Sequence, residues 1–177
     1  MNPLTITLAS HEVQAAAFVG FRRQLRAALR KDRPSFAAQY HGQLWYNHIA
    51  GACAECAVAK ALATYWDSSV DTFDTSDLPG WDCEIRFSPS NRPKVKPRDT
   101  RRIIAVTGTQ EDIYTYTIHG WLPAHEAKRI EWESTSLPQC WFPPLDAWRD
   151  IDTLQPVAVD NTSTQNTALQ GKGSIAP

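Results

Sequence analysis

The segment DLPGWDCEIRF places an acidic residue, Asp77, seven positions before an acidic-x-basic triplet, Glu84-x-Arg86. Cleavage of a phosphodiester by metal-activated water requires oxygen ligands from two or three carboxylates, and a nearby cation helps to hold the nucleophile or the developing charge. The triplet supplies one carboxylate and one cation, and Asp77 could bring a second carboxylate. The spacing therefore raises the hypothesis of a divalent-metal site.

The triplet falls within a predicted β-strand. In WDCEIRF, residues 81–87, apolar side chains alternate with Asp82, Glu84 and Arg86, and this period of two is typical of a half-buried strand. The three charged side chains then share one face. The simpler alternatives are that they form surface ion pairs, which contribute little to stability, and that Asp77 is a turn residue ahead of Leu-Pro-Gly.

A third carboxylate, Glu55, lies in the alanine-rich segment HIAGACAECAVAKALATYW, residues 48–66, which predicts a deeply packed helix. Seven residues make nearly two helical turns, so His48 and Glu55 share a face. Burial of a carboxylate is costly unless it meets a cation, a metal or a hydrogen-bond donor. We therefore expect such a partner for Glu55, whereas His48 is expected to cap its helix or to satisfy a core hydrogen bond.

Cysteine spacing offers a different metal hypothesis. Cys53-x-x-Cys56 has half the spacing of a zinc site, and the candidates for the other ligands are Cys83, Cys140, His41 and His48. No second Cys-x-x-Cys or His-x3-His pair follows. We favour reduced, buried thiols, because two cysteines three apart on a helix are poorly placed for a disulfide.

Two groups of basic residues predict contacts with nucleic-acid phosphates. A helix predicted from Ser10 to a break near Pro34 carries Arg22, Arg26 and Arg30 at intervals of four, and a basic loop or short edge strand after the acidic-x-basic triplet carries Lys94, Lys96 and Arg98. The formal net charge of the chain is -1, so such a surface must be local. The alternative for the arginine stripe is a solvated helix face.

The remaining patterns predict an α/β (α+β) protein. A short strand is expected at residues 5–9 and a short strand or turn at 69–77. RIIAVTG, residues 102–108, and DIYTYTIHGWL, residues 112–122, predict an antiparallel hairpin. A short helix is expected at 123–133, and a last strand and turn at 140–151.

Chain length and composition predict one soluble domain. A chain of 177 residues is long enough to bury roughly 70% of its unfolded surface. We expect a single domain over residues 1–152 and a flexible polar tail over 153–177. Polar residues interrupt the first twenty positions, and no segment approaches the ~20 apolar residues of a membrane span. We therefore expect a cytoplasmic protein that is not exported and has no membrane partner.

The order of an acid-bearing helix, an aspartate, an acidic-x-basic strand, further strands and a helix resembles the PD-(D/E)xK nuclease superfamily. The segments from HIAGAC to DCEIR, VTGTQEDIYTYTIHGWLPAHEAKRIEW and WFPPLDAW are similar to a group of phage and prophage proteins over roughly residues 5–150. The resemblance implies a restriction-endonuclease-like core, with a mixed central sheet flanked by helices. It also implies a phage protein that acts in the cytoplasm of a bacterial host.

The same resemblance implies roles for individual residues. Asp77, Glu84 and Glu55 would ligate Mg²⁺ or Mn²⁺, and the catalytic set would be Glu55, Asp77, Glu84 and Arg86. Two positions depart from the family pattern. Arg86 stands where the family has a lysine and cannot readily lose a proton, and Ser76 stands where a proline precedes the aspartate.

Two functions are therefore expected from the sequence. The first is a Mg²⁺-dependent nuclease or nuclease-like protein that processes DNA. The alternative is a catalytically inactive protein of the nuclease fold that binds nucleic acid or a bacterial host protein, for example one of host defence.

Overall fold

A computed structural model of the chain describes residues 2–29, 41–70, 75–90, 92–136 and 139–157, with the backbone alone at 41–43. The elements follow in the order β1 (Leu4–Thr7), α1 (Ser10–Leu29), α2 (His41–Ala61), β2 (Cys83–Ser88), β3 (Arg102–Thr107), β4 (Thr115–Pro123) and α3 (Ala124–Ala127). Short 3-10 turns follow at Ile130–Trp132, Leu145–Ala147 and Ile151–Thr153. The mixed α/β class is therefore confirmed, whereas the restriction-endonuclease-like core stays a prediction.

The four strands form one mixed sheet in the order β1-β4-β3-β2. β3 and β4 form the predicted antiparallel hairpin, and β1 adds to β4 antiparallel. β2 pairs with β3 in parallel and lies at one end of the sheet. The acidic-x-basic triplet is thus carried by an edge strand.

Both faces of the sheet are covered. α1 and α2 pack on one face with Ile85, Ile104 and Ile118. The opposite face carries a second cluster, which includes Val95, Ile103 and Trp148. β3 serves both clusters, and its residues 103–106 are fully buried, because successive side chains of a strand point to opposite faces.

A β-bulge at His119 adjusts β4 to this arrangement. Ala105 pairs with Gly120 but Val106 pairs with Ile118, so His119 is one extra residue in β4. Its Nε2 lies 2.7 Å from the Thr107 hydroxyl. Gly120 has a φ of +125°, and a Cβ there would overlap the carbonyl oxygen of Arg149, which accepts a hydrogen bond from Trp121 N–H. The bulge and this close approach both favour glycine.

The helices α1 and α2 meet closely at Gly20. A Cβ at this position would lie 2.5 Å from the Ile49 Cα and 2.7 Å from the His48 carbonyl oxygen. The facing part of α2 is built of small residues, and Ala50, Ala52 and Ala54 are fully buried. This close packing brings a side chain of α1 within reach of Glu55.

Several predicted boundaries are wrong. α2 begins at His41 instead of residue 48 and ends at Ala61 instead of residue 66. Aromatic packing accounts for the early start, since Trp45 contacts Phe21 at 5.3 Å between ring centroids and Tyr46 contacts Phe87 at 6.4 Å.

The C-terminal predictions also require correction. The helix expected over 123–133 ends at Ala127, where Lys128 leaves the helix and donates to the carbonyl oxygens of Pro97 and Asp99 at 2.8 and 2.5 Å. No strand forms in the described residues of 140–151, which make only single bridges, such as Val95 with Trp141. Pro143 and Pro144 lack the N–H groups that a sheet ladder needs.

The boundary predicted between domain and tail falls inside a packed segment. Leu154 is buried, the Gln155 carbonyl accepts from Arg102 at 2.7 Å, and Val157 N–H donates to the Gly80 carbonyl at 2.7 Å. The rest of the predicted tail, the break near Pro34 and part of the strand or turn at 69–77 lie outside the described residues. Within the described ranges, no helix is long and apolar enough to cross a membrane.

Candidate functional site

A cleft of about 590 Å³ opens beside β2, between α2 and the loop residues 89, 90 and 92–96. Among the described residues that line it, five have cationic side chains and one, Glu55, has a carboxylate. We call it the cationic cleft. The cationic residues are Arg23, Arg86, Arg92, Lys94 and Lys96, and the other lining residues are Asn47, His48, Gly51, Ile85, Phe87, Ser88, Pro89, Ser90 and Phe142.

Glu55 has the cationic partner that its burial requires. Its two carboxylate oxygens accept from Arg23 at 2.5 and 2.7 Å. Trp66 Nε1 lies 3.4 Å from one of these oxygens, and Arg23 also donates to the Ser69 carbonyl at 2.8 Å. Such a two-pronged contact is the strongest geometry for an arginine and a carboxylate. His48 lies in the same cleft, as the seven-residue spacing predicts.

Arg86, which lines the cleft, joins two carboxylates outside its lining. Its guanidinium donates to both oxygens of Asp99, one at 3.0 Å through Nε, and to Glu84. Asp99 is fully buried, and the side chains of Glu84 and Arg86 are only 15% and 16% exposed. These residues are therefore not a solvated surface pair, although Asp82, which is 55% exposed, does pair with Arg101 at 3.2 Å.

Asp99 also fixes the loop that carries the lysines. Its carboxylate accepts from Lys96 N–H at 2.8 Å, and its own N–H donates to the Lys96 carbonyl at 3.1 Å. Val95 is buried and makes both backbone hydrogen bonds of a bridge with Trp141. Lys94 and Lys96, on either side of Val95, therefore both face the cationic cleft.

The open part of the cleft has an excess of positive charge. Ion pairs among the described residues include none with Arg92, Lys94 or Lys96. Partial burial lowers the pKa of Lys96, and the charges of Arg86, Arg98 and Lys94 lower it further, against the attraction of Asp99. A bound anion would reverse this effect, because it stabilises the ammonium form.

Asp77 lies at the free edge of β2. Its N–H donates to the Cys83 carbonyl at 3.0 Å, and its carboxylate accepts from Ile85 N–H at 2.6 Å. Burial raises the pKa of Asp77 to about 7, and the negative charges of Glu55 and Glu84 add to this effect, against the Ile85 N–H and Arg86. Asp77 is therefore close enough to both other acids to interact with them electrostatically.

The structure thus gathers Glu55, Asp77, Glu84 and Arg86 around the start of β2, but arginines hold two of the three acids. Glu55 is held by Arg23, and Glu84 is held by Arg86 with Arg101 at 3.6 Å. Within the described part of the chain, no three His, Cys, Asp or Glu side chains form a group that could hold a metal ion. The donor set, arranged in this way, does not fit the Mg²⁺ or Mn²⁺ site implied by the resemblance.

The predicted phosphate-binding residues separate into two sets. Lys94 and Lys96 line the cationic cleft, whereas Arg22, Arg26 and Arg98 are exposed outside its lining, and Arg30 lies outside the described residues. The sequence did not predict roles for Arg92 and Asp99, and it placed Arg23 beside the arginine stripe of α1 instead of against Glu55. Arg23 had a detectable signal, since it follows Ala16 and Gly20 on the buried face of α1.

The cysteines have the character of core residues. Cys53, Cys56 and Cys83 are buried, and burial raises the thiol pKa to about 11 for Cys53 and Cys56 and to about 12 for Cys83. These thiols are protonated at neutral pH. His119 is likewise part of the sheet, and burial lowers its pKa.

Comparison with known proteins gives no relative from which a role could be carried over: no protein-family model, curated protein or solved structure matches the chain. The resemblance to PD-(D/E)xK nucleases therefore stays a prediction, and the geometry of the cationic cleft is the observation that bears on function.

Proposed function

We propose that the protein binds the phosphodiester backbone of nucleic acid in the cationic cleft. The observation that carries this proposal is the grouping of Arg92, Lys94 and Lys96 on one wall, with no ion-pair partner among the described residues. Phosphate contacts by lysine and arginine supply most of the affinity of sequence-independent binding. Because the net charge of the chain is only -1, the chain as a whole does not attract a polyanion, and the attraction must come from a local surface such as the cleft.

The carboxylates support binding more than hydrolysis. Glu55 and Glu84 have arginine partners, and a metal ion would have to displace these guanidinium groups. Arg23 and Arg86 instead form ion pairs that hold the elements around the cleft together. Mg²⁺-dependent cleavage of DNA stays a prediction from the sequence, and so does binding of a bacterial host protein.

The proposal is tested by measuring the binding of a fluorescent oligonucleotide as a function of salt concentration. Affinity should fall steeply with salt, because each phosphate contact releases counterions. The double variant Lys94→Gln/Lys96→Gln should bind at least about tenfold more weakly and show a shallower salt dependence.

Arg98→Gln is the matched control. It removes a charge from the same loop outside the cleft lining, so its affinity should change much less. Arg22→Gln tests the exposed face of α1 in the same way. Equal losses in all three variants, or no binding by the wild type, would contradict the proposal.

A cleavage assay separates binding from hydrolysis. The proposal predicts that DNA incubated with the protein and Mg²⁺ or Mn²⁺ stays intact. Cleavage that is abolished by Glu84→Gln, in a variant that still folds and binds, would establish the nuclease function in its place. Binding that is insensitive to salt and specific for a protein would favour the host-protein alternative.

A further inference from the structure

The lining of the cationic cleft combines two kinds of chemistry. The loop residues Arg92, Lys94 and Lys96 supply positive charge. Ile85, Phe87, Pro89 and Phe142 supply an apolar surface with two aromatic rings. A ligand that complements both parts of the lining carries an anion and a flat group a short distance apart.

Arg92 and Phe142 form a cation–π pair at this site. The Arg92 guanidinium lies over the Phe142 ring, 4.7 Å from its centroid, and both residues line the cleft. A planar guanidinium on an aromatic ring keeps one face of the pair available for a further flat group. Phe87 makes edge-on contacts with Tyr46 and Tyr116, at 6.4 and 5.8 Å between ring centroids, and these contacts hold its ring in place.

The volume of the cleft sets the size of the ligand. About 590 Å³ is typical of a site for a small molecule or cofactor, roughly 300–1,000 Å³. A duplex presents phosphates on its outside and base edges in its grooves, whereas the faces of its bases are stacked inside. A single strand has free base faces that can stack on aromatic and arginine side chains.

We propose that the cationic cleft binds unpaired nucleotides, with a phosphate on Arg92, Lys94 and Lys96 and a base against Phe142 and Phe87. This inference depends on the proposed function, because it specifies which form of nucleic acid the same cleft takes. Stacking is tolerant of sequence, since every base has a π-face. The preference is therefore for unpaired nucleotides and not for a particular base.

The experiment compares three labelled oligonucleotides of roughly 12 nucleotides, within the site sizes of proteins that bind single strands. They are a single strand, the blunt duplex made from it and an abasic strand with the same number of phosphates. The single strand should bind at least about tenfold more tightly than either of the others, a factor typical of one well-stacked base.

Phe142→Leu keeps an apolar side chain and removes the ring. It should weaken binding of the single strand about tenfold and leave binding of the abasic strand unchanged. Phe142→Tyr should restore the wild-type affinity. A loss of affinity for both strands in Phe142→Leu would show that the ring acts through the structure of the cleft, and would overturn the assignment of a base to this wall.

A competition assay tests whether a base adds to the affinity of a phosphate for the cleft. Deoxyadenosine monophosphate should displace the labelled strand at a lower concentration than inorganic phosphate does, because it adds a base to the same anion. Equal potency of the two would overturn the inference.

The two proposals fail in different ways. Equal affinity for the single strand, the duplex and the abasic strand would overturn the inference about unpaired nucleotides and leave backbone binding intact. No binding of any of the three would overturn the proposed function itself.

Discussion

Arg86 has a structural role that its place in an acidic-x-basic triplet does not reveal. It spans from Glu84, two residues before it on β2, to the fully buried Asp99 in the following loop. Removal of a buried partner leaves an unpaired charge, which costs more than the pair itself contributes. A loss of nucleic-acid binding in an Arg86 variant would therefore indicate first that the loop carrying Lys94 and Lys96 has moved.

The pair of Arg23 and Glu55 is expected to behave in the same way. Glu55→Leu should lower the free energy of unfolding by about 2–3 kcal/mol, because Arg23 stays partly buried without its carboxylate. The double variant Arg23→Met/Glu55→Leu should lose less than the sum of the two single variants. Urea denaturation of all four proteins measures this coupling, and additive losses would show that the pair does not interact.

Asp77 should make stability depend on pH. Its pKa in the folded protein is about 7, against about 3.9 in an unfolded chain, so the folded state binds the extra proton between these values. The free energy of unfolding should therefore decrease as pH rises from about 4 to 7 and then level off.

Asp77→Asn tests this dependence. The amide oxygen can still accept from Ile85 N–H, but the side chain has no charge at any pH. Relative to the wild type, the variant should gain stability progressively from pH 4 to 7 in urea denaturation. Parallel pH profiles of the two proteins would contradict this account.

At the scale of elements, the close contact between α1 and α2 depends on Gly20, which has no side chain. Gly20→Ala should lower the free energy of unfolding by about 1–3 kcal/mol, because its Cβ would meet the backbone of Ile49 and His48. Thermal or urea denaturation measures the loss.

Gly51→Ala in α2 is a control with the same chemical change. A Cβ there meets nothing within 4 Å, so the better helix propensity of alanine should stabilise the protein by up to about 1 kcal/mol. Stabilisation of both variants, or destabilisation of both to the same extent, would show that helix propensity and not close packing decides the result.

The elements were predictable where a repeated pattern reports on burial. Alternation identified β2, helical spacing identified α1, and a run of alanine and other small residues identified α2. The sequence did not predict the start of α2, because Trp45 and Tyr46 gain their packing from Phe21 and Phe87, which are distant in the sequence. It predicted a helix at α3 but not its early end, because Lys128 turns away to two carbonyls that are distant in the sequence.

The candidate site was predictable in part for the same reason. The shared face of His48 and Glu55 follows from helix geometry alone. The identity of the partner of Glu55 does not follow from helix geometry, because either a metal ion or an arginine can offset the cost of burying a carboxylate. Asp99 carries no local signal, since it follows a basic run and shows its role only when β2 brings Arg86 to it.

At the scale of the whole molecule, the segment after the last 3-10 turn holds the start of β3 and the turn before β2 together. Arg102 donates to the carbonyls of Trp81, Asp82 and Gln155, and Leu154 is only 3% exposed. A chain that ends at residue 152 should therefore lose about 2–3 kcal/mol of stability relative to one that ends at residue 157. Equal unfolding midpoints for the two truncated proteins would show that these contacts contribute nothing.

The contact of Asp77 with β2 also has a consequence for solubility. β2 is an end strand, and an unprotected end strand invites pairing with strands of other molecules and so promotes aggregation. Asp77 occupies the Cys83 carbonyl and the Ile85 N–H on the free side of this strand, as a neighbouring strand would. One residue thus blocks a growing intermolecular sheet at the strand that borders the cleft.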